Sequence, residues 1–309
     1  MKISIITLNY NGSEKTAELI KSLNEQTDHD FNIILVDNAS EEADFDKIKS
    51  TLVRIPTPHD GYPQIQIIRN RENFGFSGGN NIGIRQALKN SSDWIVLLNN
   101  DTWVEKGFIE RLKAILSVKT GIIGIPLIED GPSASLRAGP STSVRASRIA
   151  YCGKIQWLKP TLIHIPTSQV AYPQIYAIGG AVAIHKDVFD KIGLLDEKYF
   201  LYFEDADFSI RAGKAGFNIS IAENLTANHH VSSSTKKLGS PLLLRYHYRN
   251  AIYFNFKNGP WYIKFLVWPW SWLVLIKQLA KIAISKNKEE SKAILSGVLD
   301  FYKRKYGKI

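Results

Sequence analysis

The chain has 309 residues and a formal net charge of +10, and 44% of its residues are hydrophobic, which excludes a globally disordered protein. Cys152 is the only cysteine, so an intrachain disulfide is excluded and a reducing compartment such as the cytoplasm is expected. The chain passes directly into an apolar run at residues 3–8 and lacks the basic region, long apolar segment and cleavage site of a signal peptide.

Apolar runs alternate with amphipathic segments in the first part of the chain, which predicts an α/β fold with a parallel sheet. Strands are predicted at residues 3–8, 32–37, 65–70 and 94–99. One helix is predicted to begin at Ser13 as its N-cap, and others at 41–53, 81–89 and 105–117, with a surface loop at 56–63.

Several of these strands end in polar residues, namely Thr7 and Asn9, Asp37, and Asn99, Asn100 and Asp101. Because open α/β sheets bind ligands at the carboxyl ends of their strands, we expect these side chains to surround a ligand. A carboxylate that follows amides suits a divalent cation and the phosphate oxygens that the cation bridges. An ordinary Asp-Thr turn after a strand is the alternative interpretation of Asp101.

A glycine-rich segment at residues 73–81, Asn-Phe-Gly-Phe-Ser-Gly-Gly-Asn-Asn, follows the third predicted strand. Glycines allow the backbone to approach a ligand closely, and helix N-termini favour anions, so the segment is a candidate ligand-binding loop. Its glycine spacing and its position differ from the dinucleotide-binding fingerprint. A tight strand-to-helix connection is the alternative.

The second half of the chain has a turn-rich stretch at 129–147, a predicted strand at 176–184, a helix at 203–214 and a strand at 217–222. Glu204, Asp205 and Asp207 lie at the start of that helix, where carboxylates complement the helix dipole. The aromatic residues at 199–203 favour a second interpretation, a carboxylate tuned for proton abstraction. His229 follows the last strand, and it is either structural or, with Asp101, a metal ligand.

In their order along the chain, these motifs resemble those of the family-2 glycosyltransferases, most closely the rhamnosyltransferase-like branch. The resemblance covers about residues 2–235. The matching segments are Thr7-Leu8-Asn9-Tyr10-Asn11, Val36-Asp37-Asn38-Ala39-Ser40, Asn73 through Gly83, Asn99-Asn100-Asp101, Gly179-Gly180-Ala181, Phe189 to Phe200, Phe203-Glu204-Asp205 and His229-His230-Val231-Ser232.

The resemblance implies a GT-A (Rossmann-like) fold and an inverting single displacement of a sugar from a nucleoside diphosphate. The donor-binding residues that it implies are Thr7, Asn9, Asp37, Asn73, Gly75, Phe76, Asn80, Asn99 and Asn100, with Asp37 on the pyrimidine edge. Asp101 would hold Mg²⁺ or Mn²⁺ on the diphosphate, with His229 as a nearby ligand. Asp205 would be the general base, and Glu204 would orient Asp205 or the acceptor.

Two further expectations follow from the same resemblance. Asp207 and Arg211 would support the helix rather than take part in the reaction. Asn99 stands where many family members carry the first Asp of a "D-x-D" metal motif, so the affinity for the metal is expected to be modest.

The composition divides the chain near residue 240. Residues 240–309 contain thirteen Lys or Arg against three Asp or Glu, so they carry the entire net charge, and they hold four of the seven tryptophans. We therefore predict a glycosyltransferase domain at 1–239, with a donor half at about 1–128 and an acceptor half at about 129–239, followed by a helical extension at 240–309.

Within the extension, residues 261–277 are rich in Trp, Tyr and aliphatic residues, with lysines at both ends. The uncharged stretch between Lys264 and Lys277 is shorter than the ~20 residues that a spanning helix needs, so an interfacial anchor on the membrane is expected. Helices packed on the body or on a second subunit, as in a homodimer, are the alternative. Binding of nucleic acid is not expected, because the basic residues interleave with large aliphatic residues and no nucleic-acid motif is present.

The expected function is the transfer of rhamnose from dTDP-rhamnose to a cell-surface glycan or a polyprenyl-diphosphate-linked acceptor, at the cytoplasmic face of the cell membrane. The alternatives are the same machinery with a UDP-hexose donor, or a catalytically silent scaffold in a glycan-assembly complex. The uncharged Asn99 favours the scaffold, whereas Asp101, Glu204, Asp205 and His229 favour an enzyme.

Overall fold

The computed structural model describes residues 1–53, 61–130, 148–166, 175–230 and 240–309. The predicted loop at 56–63 and the turn-rich stretch at 129–147 therefore lie largely outside the described residues. The strands are β1 Ile3–Asn9, β2 Asn32–Asp37, β3 Gln64–Arg69, β4 Trp94–Leu98, β5 Thr102–Trp103, β6 Ile122–Gly124, β7 Leu127–Asp130, β8 Arg148–Ala150, β9 Cys152–Lys154, β10 Ile163–Ile165, β11 Ile175–Tyr176, β12 Ala181–His185, β13 Ile219–Ile221 and β14 Ala227–His230. The helices are α1 Ser13–Asn24, α2 Glu42–Leu52, α3 Gly75–Lys89, α4 Phe108–Leu116, α5 Lys186–Ile192, α6 Glu204–Lys214, α7 Ser240–Asn258, α8 Trp261–Ala283 and α9 Lys288–Tyr302.

A central seven-stranded sheet in the order β13-β6-β12-β4-β1-β2-β3 organises the molecule. Strands β1 to β4 are parallel to one another, as the alternating pattern predicted. Strand β4 lies near the centre and is buried along its whole length, which is why it reads as an uninterrupted apolar run. The carboxyl ends of β1, β2 and β4 consequently open onto one edge of the sheet.

The predicted strand at 176–184 is wrong in its extent. Two separate strands, β11 and β12, occupy this region, and β12 runs antiparallel to both β4 and β6. Between them the backbone turns at Gly179 and Gly180, which brings this segment against the end of β4, where Asn99 N–H donates to the Gly180 carbonyl oxygen at 2.9 Å. The turn joins the two halves of the chain at the sheet edge.

The glycine-rich segment is not a loop, because α3 already begins at Gly75 instead of at residue 81. A Cβ atom on Gly79 would lie 2.5 Å from Leu8 Cδ1, and one on Gly83 would lie 2.5 Å from Ile6 Cγ2. These glycines therefore allow α3 to pack closely on β1, a requirement that the sequence pattern alone does not distinguish from ligand approach. Ser13 is likewise not an N-cap, since it is the first helical residue of α1 and Gly12 precedes it.

Two smaller sheets, β5-β14-β7-β8 and β10-β9-β11, lie beside the central sheet and complete the second half of the chain. In the first, β14 pairs with β5 and β7, which brings the residues after β4 next to the last strand.

The C-terminal helices pack on the body of the molecule instead of extending from it. Ala251 and Phe254 of α7 share a buried apolar cluster with Tyr176, Tyr199 and Phe203. A second cluster joins α7, α8 and α9 to one another. Among the residues that the structure describes, no helix has both the length and the apolar character to cross a membrane.

Candidate active site

Asn9 organises the polar edge at the end of β1. Its Nδ2 donates to Asp37 Oδ1 at 3.0 Å and to Ser40 Oγ at 2.9 Å, and its Oδ1 accepts from Thr16 Oγ1 at 2.8 Å. The carboxylate of Asp37 is 0% exposed, and its Oδ2 lies 3.5 Å from Arg69 Nε. These contacts of Asp37 are all to groups of the protein itself. Its predicted contact with a nucleotide base is a separate matter and stays a prediction.

Asn38 holds the start of α3, a role that the sequence did not single out for it. Its Nδ2 donates to Asn73 Oδ1 at 2.9 Å and to the Gly75 carbonyl oxygen at 3.1 Å, and its Oδ1 accepts from the Phe74 N–H at 3.1 Å. The available signals were its place directly after Asp37, the last residue of β2, and its inclusion in the matching segment Val36-Asp37-Asn38-Ala39-Ser40. Buried Asn80 donates to the Phe76 carbonyl oxygen one turn earlier in α3, and its role in donor binding stays a prediction.

The amides before Asp101 brace the same edge. Asn100 Nδ2 donates to Thr16 Oγ1 at 3.0 Å and lies 3.4 Å from Asn9 Oδ1, which ties the end of β4 to the β1–α1 turn. The side chain of Asn99 lies against Gly180, where a Cβ atom would be 3.3 Å from Asn99 Nδ2. The Thr7 hydroxyl is buried and has no hydrogen-bond partner in the described part of the chain. All of these predicted donor-binding residues therefore lie at the carboxyl edge of the sheet or in its supports.

Asp101 and His229, the two predicted metal ligands, are brought together by the pairing of β14 with β5. His229 lies opposite Thr102 in this antiparallel pair, and its Nε2 is 3.2 Å from Asp101 Oδ1. The pair lacks hydrogen-bond geometry, and within the described ranges neither Asp101 Oδ1 nor His229 Nδ1 has a hydrogen-bond partner although both are buried. Carboxylate oxygens and imidazole nitrogens both ligate divalent cations, and the nitrogen that faces Asp101 Oδ1 is Nε2, on the other side of the ring from the unpartnered Nδ1.

No cluster of three or more His, Cys, Asp or Glu side chains that could hold a metal by itself is present among the described residues. Mg²⁺ sites commonly use only one or two protein carboxylates and complete their coordination with substrate phosphates and water. Asp101 and His229 could contribute ligands to a site of this kind, and their assignment as metal ligands stays a prediction.

Glu204 and Asp205 begin α6 and differ in their surroundings. Asp205 accepts hydrogen bonds from the Gly179 N–H at 3.1 Å and the Ala206 N–H at 2.8 Å, and it is partly exposed. Glu204 is buried, and its Oε2 has no hydrogen-bond partner in the part of the chain that is described.

Burial raises the pKa of Glu204 well above its usual value, and the neighbouring charge of Asp205 raises it further. Burial also raises the pKa of Asp205, although hydrogen bonds from the backbone N–H groups of Gly179 and Ala206 oppose that rise. Burial thus disfavours the charged form of both carboxyl groups, and the two backbone N–H donors favour the ionised form of Asp205.

Asp207 and Arg211 have the supporting positions expected of them. Asp207 is 0% exposed, and it accepts hydrogen bonds from Arg211 Nε at 2.8 Å, Asn258 Nδ2 at 2.7 Å and the Tyr199 hydroxyl at 3.2 Å. The carboxylate is therefore saturated within the protein and anchors α6 to α7.

Glu129 and His164 join the site without having been predicted. Glu129 lies opposite His229 in the parallel pair of β7 with β14, and its Oε1 is 3.5 Å from His164 Nδ1. His164 in turn lies close enough to Asp205 to lower the pKa of that carboxyl. Glu129 and His164 thus link the strand that carries His229 to the surroundings of Asp205, which only the pairing of two short strands reveals.

Two cavities lie away from this site, at the other edge of the central sheet. Two cavities of about 510 Å³ and 680 Å³ share Lys2, Asn32 and Gln64, which lie just before or at the amino ends of β1, β2 and β3. That edge is opposite to Asp101. Ligands of open α/β sheets bind outside the carboxyl ends of the strands, so the Asp101 edge is the candidate active site.

The comparison with known families decides the identity of the chain. The family model described as "Glycosyl transferase family 2" matches residues 4–193, which is more than half of the chain and includes the polar edge and the Gly179–Gly180 turn. The protein is a family-2 glycosyltransferase.

Curated relatives of this glycosyltransferase include one named as a hexosyltransferase and two named as rhamnosyltransferases. It is 28% identical, over 80% of its own chain and 73% of the relative, to the "Low-salt glycan biosynthesis hexosyltransferase Agl10" of Haloferax volcanii. It is 23% identical, over 86% and 88% of the two chains, to the "N-acetylglucosaminyl-diphospho-decaprenol L-rhamnosyltransferase" of Mycobacterium tuberculosis. It is 22% identical, over 83% and 80%, to the "dTDP-rhamnosyl transferase RfbF" of Shigella flexneri. The resemblance to the rhamnosyltransferase-like branch is thereby confirmed.

Solved structures confirm the GT-A fold of this glycosyltransferase. The mannosyltransferase PcManGT from Pyrobaculum calidifontis, in complex with GDP-Man and Mn²⁺, superimposes with a TM-score of 0.54 at 12% identity over 98% of this chain and 87% of that one. Residues 1–349 of S. aureus TarS, in complex with UDP-GlcNAc, superimpose with a TM-score of 0.53 at 13% identity over 100% and 93%.

Proposed function

We propose that this glycosyltransferase moves a sugar from a nucleoside diphosphate to a hydroxyl of a glycan or polyprenyl-diphosphate-linked acceptor with inversion, and that the donor is dTDP-rhamnose. The observation that carries the reaction type is that Asp205 and the Asp101–His229 pair are both held near the end of β4. Asp205 accepts from the Gly179 N–H, the adjacent Gly180 carbonyl oxygen accepts from the Asn99 N–H, and Asp101 lies two residues after Asn99. The choice of rhamnose is supported by two relatives named as rhamnosyltransferases. A hexose donor is the second candidate, supported by the relative named as a hexosyltransferase.

In the proposed reaction, Asp205 takes the proton of the acceptor hydroxyl as that oxygen bonds to the anomeric carbon, and the bond from this carbon to the diphosphate breaks. Asp205 suits this role because the N–H groups of Gly179 and Ala206 hold its carboxylate in place at the start of α6. Glu204 is buried beside Asp205, burial raises its pKa well above the usual value, and it would orient Asp205 or the acceptor.

Asp101 and His229 would hold Mg²⁺ or Mn²⁺. When bound, the cation would neutralise the charge that develops on the leaving diphosphate. The side chains of Asn99 and Asn100 and the residues around Asn9 would contact the donor beside it. Asn99 contributes no charge, so only one carboxylate of the Asn99-Asn100-Asp101 segment would engage the cation.

A thermal-shift panel tests the donor and the cation together. dTDP-rhamnose, UDP-glucose, UDP-galactose and UDP-GlcNAc are each compared with Mn²⁺, with Mg²⁺ and with a chelator. A donor at 100 times its Kd stabilises the folded protein by about 2.7 kcal/mol, which is readily measured as a rise in Tm. We expect dTDP-rhamnose with a cation to give the largest shift and acceptor-dependent release of dTDP. No shift and no release with any donor would support the silent scaffold instead.

We also propose that helix α8 holds the enzyme on the surface of an anionic membrane, at its cytoplasmic face. One side of α8 is buried through Ile263, Val267 and Leu275. The other side exposes a band of large apolar residues, Trp261, Phe265, Leu266, Trp268, Trp272, Leu273, Ile276 and Leu279. At 3.6 residues per turn, exposed Lys264 and Lys277 lie on the two borders of this band, as in helices that lie in a membrane interface.

Co-sedimentation with vesicles of phosphatidylcholine and phosphatidylglycerol tests the membrane proposal. Phe265→Ser combined with Leu273→Ser should release the protein from the vesicles, whereas Val118→Ser, an equally exposed apolar position on the body, should not. High salt should weaken binding only in part, because the apolar contribution is not screened. A parental protein that stays in the supernatant and forms a dimer, lost in the double variant, would show that α8 is a subunit interface.

A further inference from the structure

The segment from Tyr199 to Phe203, which leads into Glu204 and Asp205, has a strained backbone. Phe200, Tyr202 and Phe203 have φ angles of 61°, 70° and 76°, in the left-handed region that bulky side chains disfavour. Such conformations persist only where the surrounding structure holds them, and they cluster at functional sites. The residues that hold the Tyr199–Phe203 segment in this conformation lie in α7.

Arg249 and Asn250 of α7 bind the backbone of the Tyr199–Phe203 segment. Both side chains are 0% exposed. Asn250 Nδ2 donates to the carbonyl oxygens of Tyr199 at 2.9 Å, Leu201 at 2.7 Å and Tyr202 at 3.1 Å. Arg249 Nη2 donates to the Tyr199 carbonyl oxygen at 3.0 Å, and its Nε donates to Asn250 Oδ1 at 2.9 Å, which fixes the amide in this orientation.

The other side of the Arg249 guanidinium holds the end of the chain. Its Nη1 donates to the carbonyl oxygens of Gly307 at 2.8 Å and Lys305 at 3.3 Å. The Gly307 N–H in turn donates to the Lys198 carbonyl oxygen at 2.9 Å. Burying an arginine side chain costs free energy. Here its donors bind backbone carbonyls on both sides instead of a carboxylate, so the contacts fix the positions of two backbone segments.

The strained segment also contacts the donor side of the proposed active site. The Phe200 carbonyl oxygen accepts from the Phe76 N–H at 2.7 Å, at the start of α3. A Cβ atom on Gly75 would lie 2.4 Å from this oxygen, so Gly75 allows the contact. One segment therefore connects the start of α3 to the start of α6, and α7 fixes it.

We propose that Arg249 and Asn250 are positioning residues of the transfer reaction, which set the location of Asp205 through the Tyr199–Phe203 segment. This proposal rests on the proposed function, in which Asp205 is the base. It also means that the basic extension at 240–309 contributes to the active site as well as to the proposed membrane surface.

The variants Arg249→Lys and Asn250→Ser test the proposal, with Arg245→Gln as the matched control. Arg245 lies on the same helix and pairs with Asp300 of α9 at 2.7 Å, and within the described ranges it donates no hydrogen bond to the Tyr199–Phe203 segment. Two quantities are measured in the full chain: amide hydrogen exchange of the peptide that covers residues 199–206, and kcat for transfer with saturating donor and acceptor.

We expect Arg249→Lys and Asn250→Ser to speed exchange in the 199–206 peptide by at least tenfold and to lower kcat by at least tenfold, with a smaller change in KM for the donor. Arg245→Gln should speed exchange only in α9 and leave kcat within about twofold. Equal losses of kcat in all three variants would mean that α7 has a general structural role, and the proposal would be wrong. Faster exchange at 199–206 with unchanged kcat would refute it too.

Failure of the proposed function gives a different result. In that case the parental protein releases no nucleoside diphosphate from any donor, although exchange at 199–206 still responds to Arg249→Lys. If Arg249→Lys does not fold, Asn250→Ser carries the same comparison, because it removes donors to the segment and leaves the contacts of Arg249 with Lys305 and Gly307 in place.

Discussion

Replacement of Asp205 by asparagine separates the chemistry of this carboxylate from its structural contacts. The two carboxylate oxygens each accept one backbone N–H, from Gly179 and from Ala206. An asparagine can accept only one of them and must present its own NH₂ group to the other, which costs about 1–3 kcal/mol. This cost is partly offset. Burial disfavours the ionised form of Asp205, as its raised pKa indicates, and a neutral amide does not carry that desolvation penalty. The Tm should therefore fall by only a few degrees, at about 2–4 °C per kcal/mol.

The effect on catalysis should be much larger than the effect on stability. Loss of a general base slows a reaction by about 10²–10⁴-fold, which corresponds to about 2.7–5.5 kcal/mol of barrier height. The assay measures acceptor-dependent release of nucleoside diphosphate, and the donor-induced rise in Tm is measured beside it. We expect transfer to be lost while the donor-induced rise in Tm is kept. Transfer by a folded Asp205→Asn protein within tenfold of the parental rate would refute the assignment and make Glu204 the next candidate.

Three further predictions concern the cation, the pH dependence and the packing of α3. Asp101→Ala should weaken binding of the nucleoside diphosphate by more than tenfold and leave binding of the free nucleoside unchanged in calorimetry, because only phosphates share the cation; full activity under exhaustive chelation would contradict this. Because burial raises the pKa of Asp205, kcat/KM should fall, as the pH is lowered, at a pH above the usual aspartate range, and a pH–rate profile whose fall lies within that usual range would contradict this. Gly83→Ala should destabilise the fold by about 1–3 kcal/mol in urea unfolding, since the new Cβ would lie 2.5 Å from Ile6 Cγ2; an unchanged midpoint would show that α3 can shift.

The boundary near residue 240 is a change in composition, and buried contacts cross it in the structure. The net charge changes abruptly there, and the division into a domain at 1–239 and an extension at 240–309 stays a prediction. The structure nevertheless buries Arg249, Asn250 and Phe254 of α7 against the segment that leads to Asp205. For this reason the membrane test uses substitutions on α8, since truncation before residue 240 would also remove these contacts.

The parallel strands and the polar edge were determined by the sequence itself. Strands buried on both faces read as near-continuous apolar runs, and Asp37 and Asp101 come at or soon after the ends of the runs in β2 and β4, so they mark strand ends without any knowledge of the fold. The acidic start of α6 was visible for a related reason, because carboxylates are favoured at a helix N-terminus and an aromatic flank is unusual there.

Tertiary structure decided which of these residues meet and what holds them. Glycines at 79 and 83 serve close packing on β1, and the sequence gives the same signal for close approach of a ligand. Glu129 and His164 reach the site through short strands whose register is a matter of long-range pairing. The contacts of Arg249 are to backbone carbonyls, which every residue possesses, so no pattern of side chains could have indicated them. Local periodicity records whether a residue is buried, whereas a site depends on which distant segments are buried together.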